Sequence, residues 1–106
     1  MPSRNKTRER YLWRTYGLSR IDWTVIWGYQ HGVCGLCLQP ILGRSNIDHE
    51  HVRGFSKMTP TTRRRYVRGI VHAYPCNKFL IGRHKLGSAR QLVAYLEKPP
   101  AKMALR

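Results

Sequence analysis

The chain predicts an α+β fold, mainly helical, in which a small metal-stapled core is flanked by N- and C-terminal helices. Three observations carry that expectation. Ser19 with Asp22, and Ser88 with Gln91, have the spacing of capping boxes that open helices. Residues 66–74, YVRGIVHAY, are dense in β-branched and aromatic side chains, as strands are. Cys34-x-x-Cys37 followed by Cys76 makes an odd set of thiols, which disulfides cannot use completely and a metal ion can.

The elements come in this order. A first helix over residues 5–16 should stop at Gly17, a residue suited to the left-handed position after a helix, and Arg4, Lys6, Arg8, Arg10 and Arg14 give it a basic face. A second helix over 20–30 is capped by Ser19, with Leu18 placed to staple against Trp23. Its stripe of Trp23, Ile26, Trp27 and Gln30 reads as a core face. HGVCGLC then interrupts the helical pattern with glycines around the cysteine pair. Residues 39–46 read as a turn and connection, 47–52 as a short strand, 53–65 as a basic loop or partial helix, and 66–74 as a second strand ended by Pro75. A short helix over 77–80 and a closing helix over 88–98 complete the pattern. Leu92, Val93 and Leu96 give the closing helix its apolar face, and Pro99-Pro100 ends it. A chain of 106 residues is too short for two independent cores, so 1–106 is one domain: a basic N-terminal helix (1–18), a core with its closing helix (19–98) and a tail (99–106).

Charge narrows the partners. Lys and Arg number 20 against 5 acids, a net charge of +15, which points to a polyanion, with nucleic acid the commonest. No apolar run approaches the roughly 20 residues that span a bilayer, and the basic residues do not form one amphipathic helix, so no membrane partner is expected. The basic N-terminus lacks an apolar run behind it, which predicts an intracellular protein.

Structural zinc takes four ligands in a tetrahedron, usually Cys with or without His. Cys34, Cys37 and Cys76 supply three. His72, four residues before Cys76, has the spacing that brings two side chains to one ion across a turn, with His84 or His51 as alternatives for the fourth place. A redox Cys-x-x-Cys would leave Cys76 unused.

The stretch IDHEH, residues 47–51, gathers two of the five acids and two of the five histidines. Hydrolysis of a phosphodiester needs an activated water, a cation at the phosphate and a scaffold to align them. Asp48 is a hard oxygen ligand suited to Mg²⁺, His49 is suited to taking a proton near neutrality, and Asn77 offers a second oxygen ligand. Regular strand alternation would put His49 and His51 on one face and Asp48 and Glu50 on the other. Either the strand bends or ends at His49, or the metal bridges its edge.

Taken in order, Cys34-x-x-Cys37, Asp48-His49-x-His51, Val67-Arg68-Gly69 and Cys76-Asn77 resemble the recombination endonuclease VII family of phages, which belongs to the HNH, or His-Me finger, nucleases. The segment RTYGLSRIDW and the ending AYLEKP extend the likeness over most of the chain. The resemblance implies a zinc-stapled ββα-metal core. It implies Asp48 and Asn77 as ligands of a catalytic Mg²⁺ or Mn²⁺, His49 as general base, and His51 as an aid at the phosphate or leaving group. Products would carry 5′-phosphate and 3′-hydroxyl ends, and the active form would be a monomer or homodimer. One departure stands out: the family usually shows Cys-x-x-Cys-Asn where this chain has His72-x-x-x-Cys76-Asn77.

Arg53, Lys57, Arg63, Arg64, Arg65 and Arg68 form an acid-free basic block between the expected base and Asn77, placed to flank the scissile DNA phosphate, with Lys78 a further contact. The alternative function is a non-catalytic zinc-stabilised nucleic-acid-binding module, which would leave Asp48, His49 and Asn77 without work.

Overall fold

The computed structural model describes residues 4–77 and 86–106. Helix α1 (Arg4–Tyr16) and helix α2 (Arg20–Tyr29) lead into the cysteine knuckle. Strand β1 (Ser45–His49), a short helix α3 (Pro60–Arg63) and strand β2 (Val67–His72) come next, and the described chain closes with α4 (Leu86–Glu97) and α5 (Pro100–Ala104).

The first two helices obey their local chemistry. Gly17 adopts φ +68°, and a Cβ there would meet the Pro60 carbonyl oxygen at 1.8 Å, so glycine both ends α1 and lets α3 pack against it. Ser19 and Asp22 form the capping box in both directions, at 3.0 and 2.9 Å. On α2, Ile26 is fully buried, Trp23 and Trp27 stack at 5.1 Å against the core, and Gln30 is buried.

Gln30 shows why a polar residue belongs on that stripe. Its amide donates to the carbonyls of Ile70 (2.8 Å) and Val33 (2.9 Å), and its oxygen accepts from the Ile70 N–H (2.9 Å). It thereby gives the Ile70 N–H of β2 a buried partner and adds a second donor to a carbonyl that the Gly35 N–H also serves.

β1 and β2 form a two-stranded antiparallel sheet. The core gathers Leu12, Leu18, Ile26, Ile47, Ile70, Val71 and Tyr95 around it. The first strand lies two residues earlier than the sequence pattern predicts and ends at His49 instead of Val52. Its ladder is regular from Ser45↔His72 to Asp48↔Gly69, then jumps to His49↔Val67, leaving Arg68 as the extra residue of a β-bulge.

Three further differences concern the C-terminal third. The closing helix is already under way at Leu86, so Ser88 is not its cap. Its buried face is carried by Tyr95, at 4% exposure, with Leu92 packed against the core, whereas Val93 and Leu96 point to solvent. Residues 99–106, expected as a tail, include α5, which packs on β2 and α2 through the buried Ala101. Lys78 and His84 lie outside the described residues, as does the side chain of Asn77.

Candidate metal centre and active site

The knuckle is shaped by its own backbone. Leu38 N–H donates to the Cys34 carbonyl (3.0 Å) and Cys34 N–H to Gln39 (2.9 Å), with Leu38 held at φ +62°. This turn faces Cys34 and Cys37 toward β2, where Gly35 N–H bonds the Ile70 carbonyl at 3.1 Å. His72 closes β2, and Cys76 lies on the irregular turn Ala73–Asn77 just beyond it.

The ligand atoms of Cys34, Cys37, His72 and Cys76 all lie within 4.8 Å of one another, forming a cluster able to hold a zinc ion. His72 Nδ1 is 3.3 Å from Cys37 Sγ and 3.7 Å from Cys76 Sγ. A tetrahedron built on bonds of about 2.0–2.3 Å has edges of roughly 3.3–3.8 Å, so these separations fit a central ion. His72 Nε2 faces the Pro40 carbonyl at 3.1 Å. A proton on Nε2 donating there leaves the Nδ1 lone pair for the metal, the usual way an outer partner fixes a ligand tautomer.

The thiols respond to their surroundings in opposite directions. Burial raises the Cys34 pKa, but N–H groups from Cys37, His72 and Leu36 outweigh it and favour the thiolate. Burial and then the Cys34 charge push Cys76 up to about 12; burial and Cys34 also raise Cys37, against the pull of the Gln39 N–H. One thiolate suppresses the next, and a divalent cation relieves that repulsion. The donor set therefore fits zinc, with His72 in place of a fourth cysteine.

Asp48 is 3% exposed at the last regular rung of the sheet. Its Oδ2 accepts from Arg68 Nε (2.9 Å) and from the Tyr95 hydroxyl (2.8 Å), and its Oδ1 from Arg68 Nη2 (3.3 Å). Arg68 reaches it because the bulge frees that residue from regular pairing; its Nη2 also donates to the His49 carbonyl at 3.2 Å. Tyr95 reaches it through space left by two glycines. A Cβ on Gly35 would lie 2.6 Å from the Tyr95 ring, and one on Gly69, the ladder partner of Asp48, 3.1 Å from its hydroxyl. Burial first, then the Asp48 charge, raise the Tyr95 pKa, which keeps this hydroxyl a donor.

Of the alternatives that strand alternation left open, β1 ends at His49, and its regular ladder stops between Asp48 and His49. The His49 ring stacks on Phe55 (centroids 4.3 Å apart) and on His51 (4.7 Å), with Tyr16 tilted at 5.7 Å. Desolvation, then the neighbouring His51, lower its pKa against the upward pull of Asp48, and Arg68 lowers it further. These surroundings favour the neutral imidazole, the form able to accept a proton. Its aromatic surround and the Tyr95 contact carry no sequence signal at short range.

A hard carboxylate suits Mg²⁺ or Mn²⁺. Of the roughly four lone-pair positions on a carboxylate, three on Asp48 are taken by Arg68 and Tyr95. Asp48 therefore has the chemistry of a metal ligand, with an arginine resident beside it.

The basic block divides by what its side chains touch. Arg63 donates to four backbone carbonyls, those of Met58, Ser56, Arg14 and Thr15, the last two at the end of α1. It also lies over Phe55, 5.4 Å from the ring centroid. Arg64 pairs with Asp22. Arg53, Lys57 and Arg65 are exposed. Among the described residues no helix is long and apolar enough to cross a membrane.

Comparison with known proteins agrees with this arrangement of motifs. Residues 9–98 match the family model of recombination endonuclease VII. The "Gene 59 protein" of Mycobacterium phage D29 is 31% identical over 98 residues, covering 88% of this chain and 52% of the relative, so the chain spans about half the length of that curated protein. No solved structure matches. With the match covering most of its length, the chain belongs to the recombination endonuclease VII family.

Proposed function

We propose that the chain is a metal-dependent DNA endonuclease of the HNH type that hydrolyses phosphodiester bonds. The observation that carries this reading is the junction at the bulge: a buried carboxylate, Asp48, adjoins a histidine, His49, packed among aromatic rings that favour its neutral form. Asp48 and Asn77 would hold Mg²⁺ or Mn²⁺, which when bound supplies charge neutralisation at the phosphate and leaving oxygen.

The remaining work falls to the chain's own side chains. His49 takes a proton from the attacking water, its ring oriented by stacking on Phe55 and His51. His51, exposed beside it, assists at the phosphate or leaving group. Arg53, Lys57 and Arg65 hold the DNA backbone, with Lys78 as a further contact. The zinc cluster is structural, tying the knuckle to the end of β2 and so setting where Asn77 begins. A monomer acting this way nicks one strand; a homodimer cuts two.

One observation favours a second reading. Asp48 in its contacts with Arg68 and Tyr95 is also what a purely structural ion pair looks like. A non-catalytic zinc-stabilised nucleic-acid-binding module would need no more. Incubating zinc-loaded protein with supercoiled and branched DNA, with and without Mg²⁺ or Mn²⁺, separates the two. Metal-dependent cleavage, lost in His49→Ala and Asn77→Ala, is expected; binding without cleavage on any substrate would establish the module instead.

A further inference from the structure

Among the described residues, Asp48 is the buried charged group. A carboxylate taken out of water is kept as an anion by a cation and by hydrogen bonds. Both come from within the chain, Arg68 as the cation and Tyr95 as the added donor. A divalent ion on the same carboxylate would gather three positive charges around one negative, so ion and guanidinium are rivals for Asp48.

Arg68 keeps one side of its guanidinium open. It projects from the bulge, its side chain is 20% exposed, and its Nη1 group donates to no acceptor among the described residues. A planar guanidinium with donors to spare, on a chain with exposed Arg53 and Arg65, matches the geometry of a phosphate.

We infer that Arg68 is an exchangeable counter-cation: it holds Asp48 until a DNA phosphate draws it away, so that divalent-ion binding and DNA binding are positively coupled through this one side chain. The inference rests on the nuclease reading and describes how that site is regulated. Without DNA the carboxylate is already neutralised, and ion affinity is low. With DNA the phosphate takes over Arg68, and Asp48 becomes free to ligate. Tyr95 is the positioning residue, holding Asp48 in place during the exchange. The coupling is reciprocal: the factor by which DNA tightens the ion, typically about 5 to 150 for coupled sites, is the factor by which the ion tightens DNA.

The test uses zinc-loaded His49→Ala protein, so that bound DNA stays intact, and measures Mn²⁺ binding by electron paramagnetic resonance with and without a short duplex. DNA is expected to tighten Mn²⁺ by roughly 5- to 150-fold. Adding Arg68→Gln should tighten Mn²⁺ in the absence of DNA by at least about 5-fold and shrink the effect of DNA. Unchanged or weaker Mn²⁺ binding in Arg68→Gln without DNA overturns the exchange, while metal-dependent cleavage by the parent would leave the nuclease reading standing. No Mn²⁺ binding under any condition overturns both. A second measurement covers the case in which Arg68→Gln fails to fold. In the His49→Ala protein, the Arg68 Nε–H nuclear magnetic resonance signal should move when Mg²⁺ and duplex are both present and stay near its starting position with Mg²⁺ alone. A signal unmoved by both together overturns the exchange.

Discussion

Replacing Tyr95 by Phe removes a single oxygen and leaves the ring between Gly35 and Gly69. The loss is one buried hydrogen bond of 2.8 Å to a carboxylate that keeps its two contacts with Arg68. Hydrogen bonds to charged groups contribute about 1.5–3 kcal/mol, and the apolar contacts of the ring are unchanged, so the variant should be destabilised by about that amount. With a urea slope of about 1.5 kcal/mol per molar, the unfolding midpoint should fall by roughly 1–2 M. The assay is urea unfolding of zinc-loaded protein followed by tryptophan fluorescence and circular dichroism. In an Asp48→Asn background the same hydroxyl meets a neutral partner, and its removal should cost only about 0.5–1.5 kcal/mol. A loss below about 0.5 kcal/mol in the parent, or equal losses in the two backgrounds, would show that Tyr95 does not stabilise the Asp48 charge.

Withdrawing zinc with a chelator, or changing Cys76 to Ser, should abolish cooperative unfolding and near-ultraviolet dichroism, since structural zinc contributes on the order of 10 kcal/mol in small domains; metal content measured by mass spectrometry that stays at the parent level in Cys76→Ser would contradict the ligand set. The Asp22 pKa is raised by burial but lowered more by hydrogen bonds from Arg64 and Ser19, so its net folded value is depressed. Its stabilisation is then present above the unfolded value of about 3.9 and lost as pH falls through the folded one. The stability gap between parent and Asp22→Asn should narrow on acidification below pH about 4, and a gap constant with pH would refute this. On DNA, Arg53→Ala, Lys57→Ala and Arg65→Ala should each reduce the salt slope of binding by about 1. Arg63→Ala should instead lower stability, because it deprives four carbonyls of their donor; a slope change in Arg63→Ala with unchanged stability would reverse that assignment.

What the sequence revealed was encoded locally. The capping box at Ser19, the stop at Gly17 and the two halves of the candidate metal cluster each depend on residue type and short spacing, and His72 joins that cluster despite the altered step to Cys76. What it concealed depends on register and long range. Nothing near residue 95 announces a hydroxyl aimed at residue 48, and Ser88-Ala89-Arg90-Gln91 imitates a helix start inside a helix already running. Arg68 reads as one arginine in a basic block, yet a skipped position in the ladder sets it against Asp48. Phe55, from a helical turn beyond β1, and Tyr16, from the end of α1, flank His49 by approaches that no periodicity encodes.

The bulge also makes position 68 unusual in what it tolerates. Substitution there changes a charge and leaves the phase of the pleat alone. Deletion would make Asp48↔Gly69 and His49↔Val67 consecutive rungs, sending Val67 to the opposite face from Gly69. Asp48 would lose its guanidinium, although it had not itself been touched. In this sheet the number of residues between Val67 and Gly69 matters as much as their identity.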